Sequence, residues 1–185
     1  MEIDAIKKKV LEDVDPETRR KKKKEMRIQR LIVTLQFLGI AAVVILIFYI
    51  LMGISTVDGN SMYPTLHDKD IVIYNRRCKE YKAGDIVAIA RPSGEDYVKR
   101  VIAVAGDTVN IQGGKVYVNG EEVRYDGEIG TTEKKASKIT YPLRVGDKEV
   151  FVLGDNREVS RDSREVGTVK VSDIEGKIEW YMGRP

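Results

Sequence analysis

Ser61, Lys99 and His67 are the residues of this 185-residue chain whose types and settings could carry acyl chemistry. Ser61 lies in Gly59-Asn60-Ser61-Met62-Tyr63-Pro64-Thr65-Leu66, after a long apolar segment and before an alternating run. Pro64 fixes its own φ and disfavours helix at Tyr63, while Gly59 admits backbone angles that other residues resist. The serine is therefore expected on a rigid, exposed bend. That bend suits a nucleophile, although serine beside Gly, Asn and Pro is also the common composition of a plain turn.

A serine hydroxyl needs a base. His67 is the only histidine and lies six residues further along the same connection, a spacing from which two side chains seldom converge. A neutral lysine is the other scheme, and Tyr97-Val98-Lys99-Arg100-Val101-Ile102-Ala103-Val104 offers one. Read as a strand, this run puts Lys99 on a face with Tyr97, Val101 and Ala103. Burial there would depress its pKa from about 10.4 toward neutrality, a shift of roughly 3 units or about 4 kcal/mol, within the reach of full burial. The competing arrangement is a lysine whose stem packs while its ammonium reaches water.

Other chemistries find less support. Cys78 is the single cysteine, so no internal disulfide is expected and the core must hold the fold. Asp155, Glu158, Asp162 and Glu165 alternate with arginines and lack a calcium-loop pattern, so ion pairs are expected rather than a metal site. The Gly-rich turns lack the phosphate-cradle spacing, and residues beyond the amino-terminal tail show no basic patch interleaved with aromatics. Neither a cofactor nor a nucleic-acid partner is expected.

The elements that must position these groups fall into three stretches. Residues 1–30 carry eleven Lys or Arg and read as a basic cytoplasmic tail, with Asp15-Pro16 as the N-cap and first residue of a long helix and a short helix before it. Residues 31–53, uncharged throughout, are long enough for a transmembrane helix of about 30 Å. The flanking positive charge holds the amino terminus in the cytoplasm, so residues 54–185 are expected outside. The net charge of +3 is unremarkable; its crowding before the apolar span carries the information.

Beyond Ser55 the period changes to that of strands. Runs at 71–74, 86–90, 98–105, 108–111, 116–118, 150–153, 168–171 and 177–182 are short and separated by Gly, Asp, Asn and Pro. Gly113-Gly114 and Asn119-Gly120 read as hairpin turns, making 108–123 a meander. The expected fold is mainly β, a small closed or partly closed antiparallel barrel following one helix. Residues 125–141 are the least ordered by composition and are expected to form a mobile loop.

Ser61-Met62-Tyr63-Pro64-Thr65-Leu66, Gly84-Asp85-Ile86-Val87, Tyr97-Val98-Lys99-Arg100-Val101-Ile102 with Gly106-Asp107, and Gly154-Asp155-Asn156-Arg157-Glu158-Val159-Ser160-Arg161-Asp162-Ser163-Arg164 resemble, in order, the boxes of bacterial type I signal peptidases. The single span resembles the compact members typical of Gram-positive bacteria. The resemblance implies a membrane-bound endopeptidase that cuts signal peptides from secreted preproteins after small residues, Ala-X-Ala in type. It implies Ser61 as nucleophile and Lys99 as base, and the Ser61 N–H as an oxyanion donor. Gly59 stands where several members carry a second donor hydroxyl, which leaves a Gly59 backbone group or a water for that place. It further implies that Ser160 orients the Lys99 amine and that Asp162 pairs with Arg164 or Arg100. Val57, Met62, Leu66, Tyr97 and Val98 are the implied substrate contacts, with Met62-Tyr63 resting on the bilayer or in the core. Preproteins and the lipid bilayer are the expected partners, and the protein is expected to act as a monomer. Two alternatives stand beside this reading: a self-cleaving repressor-type protease, disfavoured by the apolar span, and a non-catalytic pilus-assembly relative, disfavoured by the presence of both Ser61 and Lys99.

Overall fold

The computed structural model describes residues 2–14, 16–90 and 97–183 and divides into two compact units, Met1–Phe48 and Tyr49–Pro185. The first unit holds helix α1 (Glu2–Val14) and most of helix α2 (Pro16–Leu51). Proline is well placed at the start of α2, where its missing N–H has no helical partner to lose. The expected cap, Asp15, lies outside the described residues. The second half of α2 is apolar all round and none of its side chains is buried. By length and composition it can cross a bilayer.

The second unit is antiparallel β, and its strands follow the alternation legible in the sequence. Strands β1 (Met52–Thr56), β2 (Ile71–Asn75), β3 (Ile86–Ile89), β4 (Tyr97–Val104), β9 (Glu149–Leu153), β10 (Val169–Lys170) and β11 (Ile174–Met182) form one sheet. Their order is β1-β2-β11-β3-β4-β9-β10. Strands β5 (Thr108–Gln112), β6 (Lys115–Val118), β7 (Glu121–Val123) and β8 (Leu143–Arg144) form a second sheet in the order β7-β6-β5-β8. The mainly β expectation holds as a curled half-barrel: strands β1 and β10 end the large sheet without pairing to each other. The hairpin turns at Gly113-Gly114 and Asn119-Gly120 all have positive φ, as tight turns of this kind require.

Two boundaries differ from the sequence reading. Met52 and Gly53, read as the end of the apolar span, are already strand, because Gly53 pairs with Tyr74 and lies so close to its ring that no Cβ would fit. Strand β8 was not expected; its two residues contribute only a short pairing with β5.

Strands β3, β4 and β9 are buried on both faces, which explains their nearly unbroken apolar runs. Val87, Ile89, Val101, Val150, Val152 and Ile174 pack on one side. Ile102, Ala103, Val109, Ile111, Phe151 and Leu153 pack where the two sheets meet. A third cluster, Val57, Met62, Leu66, Val72 and Val98, joins β2 and β4 to the connection after β1. Close backbone approach limits one central position: a Cβ on Gly176 would overlap the carbonyl of Asn75 on β2. Gly176→Ala should therefore lower unfolding free energy by about 2 kcal/mol or more, read from the denaturant midpoint of the full chain in detergent.

Candidate active site

The connection between β1 and β2 is a turn tied at its base and pinned from beneath. Val57 N donates to Asp70 O and Lys69 N to Val57 O, each at 2.8 Å. Within it, Tyr63 N donates to Asn60 O and Leu66 N to Met62 O. Met62 and Leu66, four residues apart on that turn, both bury in the third cluster against Val98 of β4. Two core anchors thus seat the turn beside β4, leaving Ser61 partly exposed above them. Gly59 takes φ +79° and turns its N–H to Asp68 Oδ1 at 2.7 Å.

Lys99 arrives from β4. Its Nζ lies 2.6 Å from Ser61 Oγ in a hydrogen bond, donates to Val98 O at 2.8 Å and stands 5.2 Å from the Tyr97 ring centroid. The residue is only 2% exposed, so the buried arrangement holds and the water-reaching one does not. His67 follows neither scheme. Its side chain is 61% exposed, 3.7 Å from Asp70 and edge-on to Tyr63.

The stretch after β9 closes the site. Asn156 N donates to the Ser61 carbonyl oxygen at 3.0 Å, so the turn 155–157 holds the serine backbone directly. A Cβ on Gly154 would overlap both the Ser160 side chain and that same Ser61 carbonyl oxygen, so only glycine fits at this crossing. Ser160 is fully buried. Its hydroxyl makes no hydrogen bond among the described residues, so the implied hydrogen bond from Ser160 to the Lys99 amine is not formed.

Asp162 caps the short helix α3 (Ser163–Val166) by accepting from Arg164 N, and it grips the Arg164 guanidinium twice, Nε to Oδ1 and Nη2 to Oδ2, each at 2.9 Å. Both residues are buried, so this is no ordinary surface ion pair. Arg164 is the partner of Asp162; Arg100 has another. Arg100 Nε and Nη2 reach Asp155 Oδ1 and Oδ2 at 2.8 and 2.6 Å, and the Thr65 hydroxyl donates to the same Asp155 carboxylate. Asp155 and Thr65 were not singled out as site residues from the sequence. Their signal was weak, since threonine in a turn and aspartate after glycine are both common.

Of the implied substrate contacts, Val57, Met62, Leu66 and Val98 form closed core, and Tyr97 is half-buried beside Lys99. Met62 therefore packs in the core rather than on a lipid surface. Residues 125–141 are also not the loose loop that their composition suggested. Glu128 and Thr132 hold Arg157, Lys135 donates to Ser160 O, and Ser137 donates to Arg164 O.

A family model described as signal peptidase, peptidase S26, matches residues 28–182. The chain is similar to Signal peptidase I of Bacillus amyloliquefaciens, 40% identical over 118 residues, covering 58% of this chain and 63% of that protein. It is similar to Signal peptidase I S of Bacillus subtilis strain 168, 40% identical over 121 residues, covering 58% of this chain and 64% of that protein. These two matches span a little under two thirds of each relative's length. Signal peptidase I of Bacillus caldolyticus is 36% identical over 140 residues, 67% of this chain and 75% of that protein. Among solved structures, a signal peptidase I from Enterococcus faecalis V583 has a TM-score of 0.45 and 30% identity, covering 53% of this chain and 96% of that one.

The buried Asp162–Arg164 pair generates a pH prediction. Burial alone would raise the Asp162 pKa, but the hydrogen bonds and charge of Arg164, with Ser160 and the Gly154 N–H, outweigh it and hold the carboxyl below its usual value. The stability linked to its charge is fully present above the unfolded pKa of about 3.9 and is lost as pH falls through the lower folded value. Asp162→Asn should cost about 3–5 kcal/mol at neutral pH, because it strands a buried guanidinium. Denaturant midpoints measured down to about pH 2 should show this gap between wild type and variant narrowing in acid. A gap constant with pH would contradict the assignment.

Proposed function

The chain belongs to the signal peptidase family, peptidase S26, and we propose that it is a membrane-bound serine endopeptidase that cuts signal peptides from preproteins after small residues of the Ala-X-Ala type. The observation that carries this reading is the 2.6 Å contact between Ser61 Oγ and a buried Lys99 amine. Burial penalises the ammonium form, and a neutral amine can accept the proton that the Ser61 hydroxyl then donates. In this reading Ser61 Oγ attacks the scissile carbonyl while Lys99 takes its proton. The lysine, now charged, delivers that proton to the leaving amine, and the acyl-enzyme is hydrolysed by water activated at the same nitrogen.

The oxyanion forms beside the Ser61 N–H, which has no acceptor among the described residues. Since the Gly59 N–H is occupied by Asp68, a water is the remaining candidate for the second donor. Asn156 and Gly154 hold the Ser61 backbone, and Asp162, gripped by Arg164, accepts from Gly154 N and fixes that crossing. Val57, Met62, Leu66 and Val98 are closed core that supports the nucleophile turn from beneath, and half-buried Tyr97 beside Lys99 is the one of the implied contacts left open to small substrate side chains. The apolar part of α2 is the anchor, with the basic run in the cytoplasm and the β unit on the outer face of a bacterial plasma membrane. The protein acts as a monomer and needs no cofactor.

Cleavage of a signal-peptide substrate by the full chain in detergent provides the test. Ser61→Ala and Lys99→Ala should each lower kcat by at least about 10³-fold while leaving the folded unit intact by circular dichroism. His67→Ala should retain activity within about twofold, as expected of an exposed side chain away from the dyad. Activity persisting in either dyad variant, or lost in His67→Ala, would contradict the mechanism. A wild-type chain that binds the peptide without cutting it would point to an assembly factor instead.

A further inference from the structure

The segment that looked loose in the sequence is bonded to the 155–157 turn, whose Asn156 holds the nucleophile backbone. Ile129 and Asn156 form a parallel bridge, with Ile129 N donating to Asp155 O at 2.9 Å and Arg157 N to Ile129 O at 3.0 Å. The residue between those two rungs, Asn156, is the one whose N–H holds the Ser61 carbonyl. Glu128 and Thr132 flank Ile129 and clasp the buried Arg157 side chain, each at 2.6 Å. Tyr125 lies under Arg100, with the guanidinium carbon 5.4 Å from its ring centroid. A Cβ on Gly127 would stand 2.5 Å from Thr65 Oγ1, on the nucleophile turn itself. At its far end Thr132 N donates to Gly114 O, tying the segment to the β5–β6 hairpin. These contacts bind 125–132 to the smaller sheet on one side and to the Ser61 support on the other.

We propose that residues 125–132 are a strap that sets the position of Ser61, with Glu128 as its charged anchor through Arg157. The inference rests on the peptidase reading and extends it to residues outside the dyad and its immediate braces. Arg157 is 2% exposed and Glu128 is its only described carboxylate partner. Burial pushes the guanidinium below its ordinary range, and Glu128 is the first of the charges that oppose this. Without Glu128, a buried cation loses its counterion, and its easiest relief is to move toward water. Moving Arg157 moves the bridge, and with it the amide that holds Ser61. Glu128 is a positioning residue that acts through Arg157 and the Asn156 amide, so its removal should affect the alignment of the nucleophile more than substrate binding.

Glu128→Gln, Glu128→Ala, Glu128→Asp and Gly127→Ala in the full chain in detergent test this. At a temperature where each variant is folded by its thermal transition, Glu128→Gln and Glu128→Ala should lower kcat about tenfold or more, with KM for a signal-peptide substrate within about twofold. Glu128→Asp, which keeps the charge, should recover more activity than Glu128→Gln. Gly127→Ala, acting from the opposite side through Thr65, should show the same loss in kcat. Hydrogen exchange at the Asn156 amide should quicken about tenfold or more in Glu128→Gln. Wild-type kcat in folded Glu128→Gln and Glu128→Ala would overturn the strap, as would a raised KM at unchanged kcat or unaltered Asn156 exchange. If Glu128→Ala does not fold, Glu128→Gln and Gly127→Ala decide. If wild type itself fails to cut, the peptidase reading falls and Asn156 exchange alone decides the strap.

Discussion

Keeping a lysine amine out of water against a serine hydroxyl is the constraint on which the rest of this unit depends. Burial of an ammonium group is expensive, and the chain meets that demand by placing Lys99 on a strand covered on both faces. The nucleophile comes from elsewhere, a turn seated on β4 by Met62 and Leu66. Because the two partners lie 38 residues apart in sequence, nothing local fixes their distance. The third cluster does so through Val98, which is both neighbour to the lysine and contact for the turn.

Around this pair the interior is polar. Arg100 with Asp155, Arg164 with Asp162, and Arg157 with Glu128 are guanidinium–carboxylate pairs that are buried or nearly so. Such pairs are weak evidence for stability, because desolvation offsets much of their attraction. Their value here is geometric. A guanidinium held at two points fixes both position and plane, which apolar packing alone does not. Two of the pairs join stretches far apart in sequence, β4 to the 155–157 turn and that turn to 125–132, and Asp162 of the third also accepts from Gly154 N just past β9.

Much of the fold was legible because its strands alternate or run unbroken and end at glycine and aspartate. The closeness of Ser61 and Lys99 was expected from the resemblance of four ordered boxes, because a serine beside Gly, Asn and Pro and a lysine in an apolar strand each have a common structural reading of their own. The errors have physical causes. Met52 and Gly53 are apolar enough to continue the helix, and only their pairing with Asn75 and Tyr74 of β2 makes them strand. Residues 125–141 carry glycines and charges that resemble a solvated loop. In the folded unit their glycines allow close approach to Thr65 and Glu158, and a charged residue, Glu128, turns inward to Arg157. The choice between Arg164 and Arg100 as partner of Asp162 depended on which face each arginine took, which composition does not reveal.

Adjacency of Lys99 and Arg100 on β4 carries one more implication. Successive strand residues point to opposite faces, and the pairing of Val87 with Lys99 and of Ile86 with Arg100 decides which cation faces the serine. A slip of one residue would present a guanidinium, which does not give up its proton at any physiological pH. The ladder between β3 and β4 therefore selects between a titratable nitrogen and a permanently charged one. Strand alignment here is a chemical variable as much as an architectural one, and a single-residue insertion or deletion within β4 would act on reactivity through it.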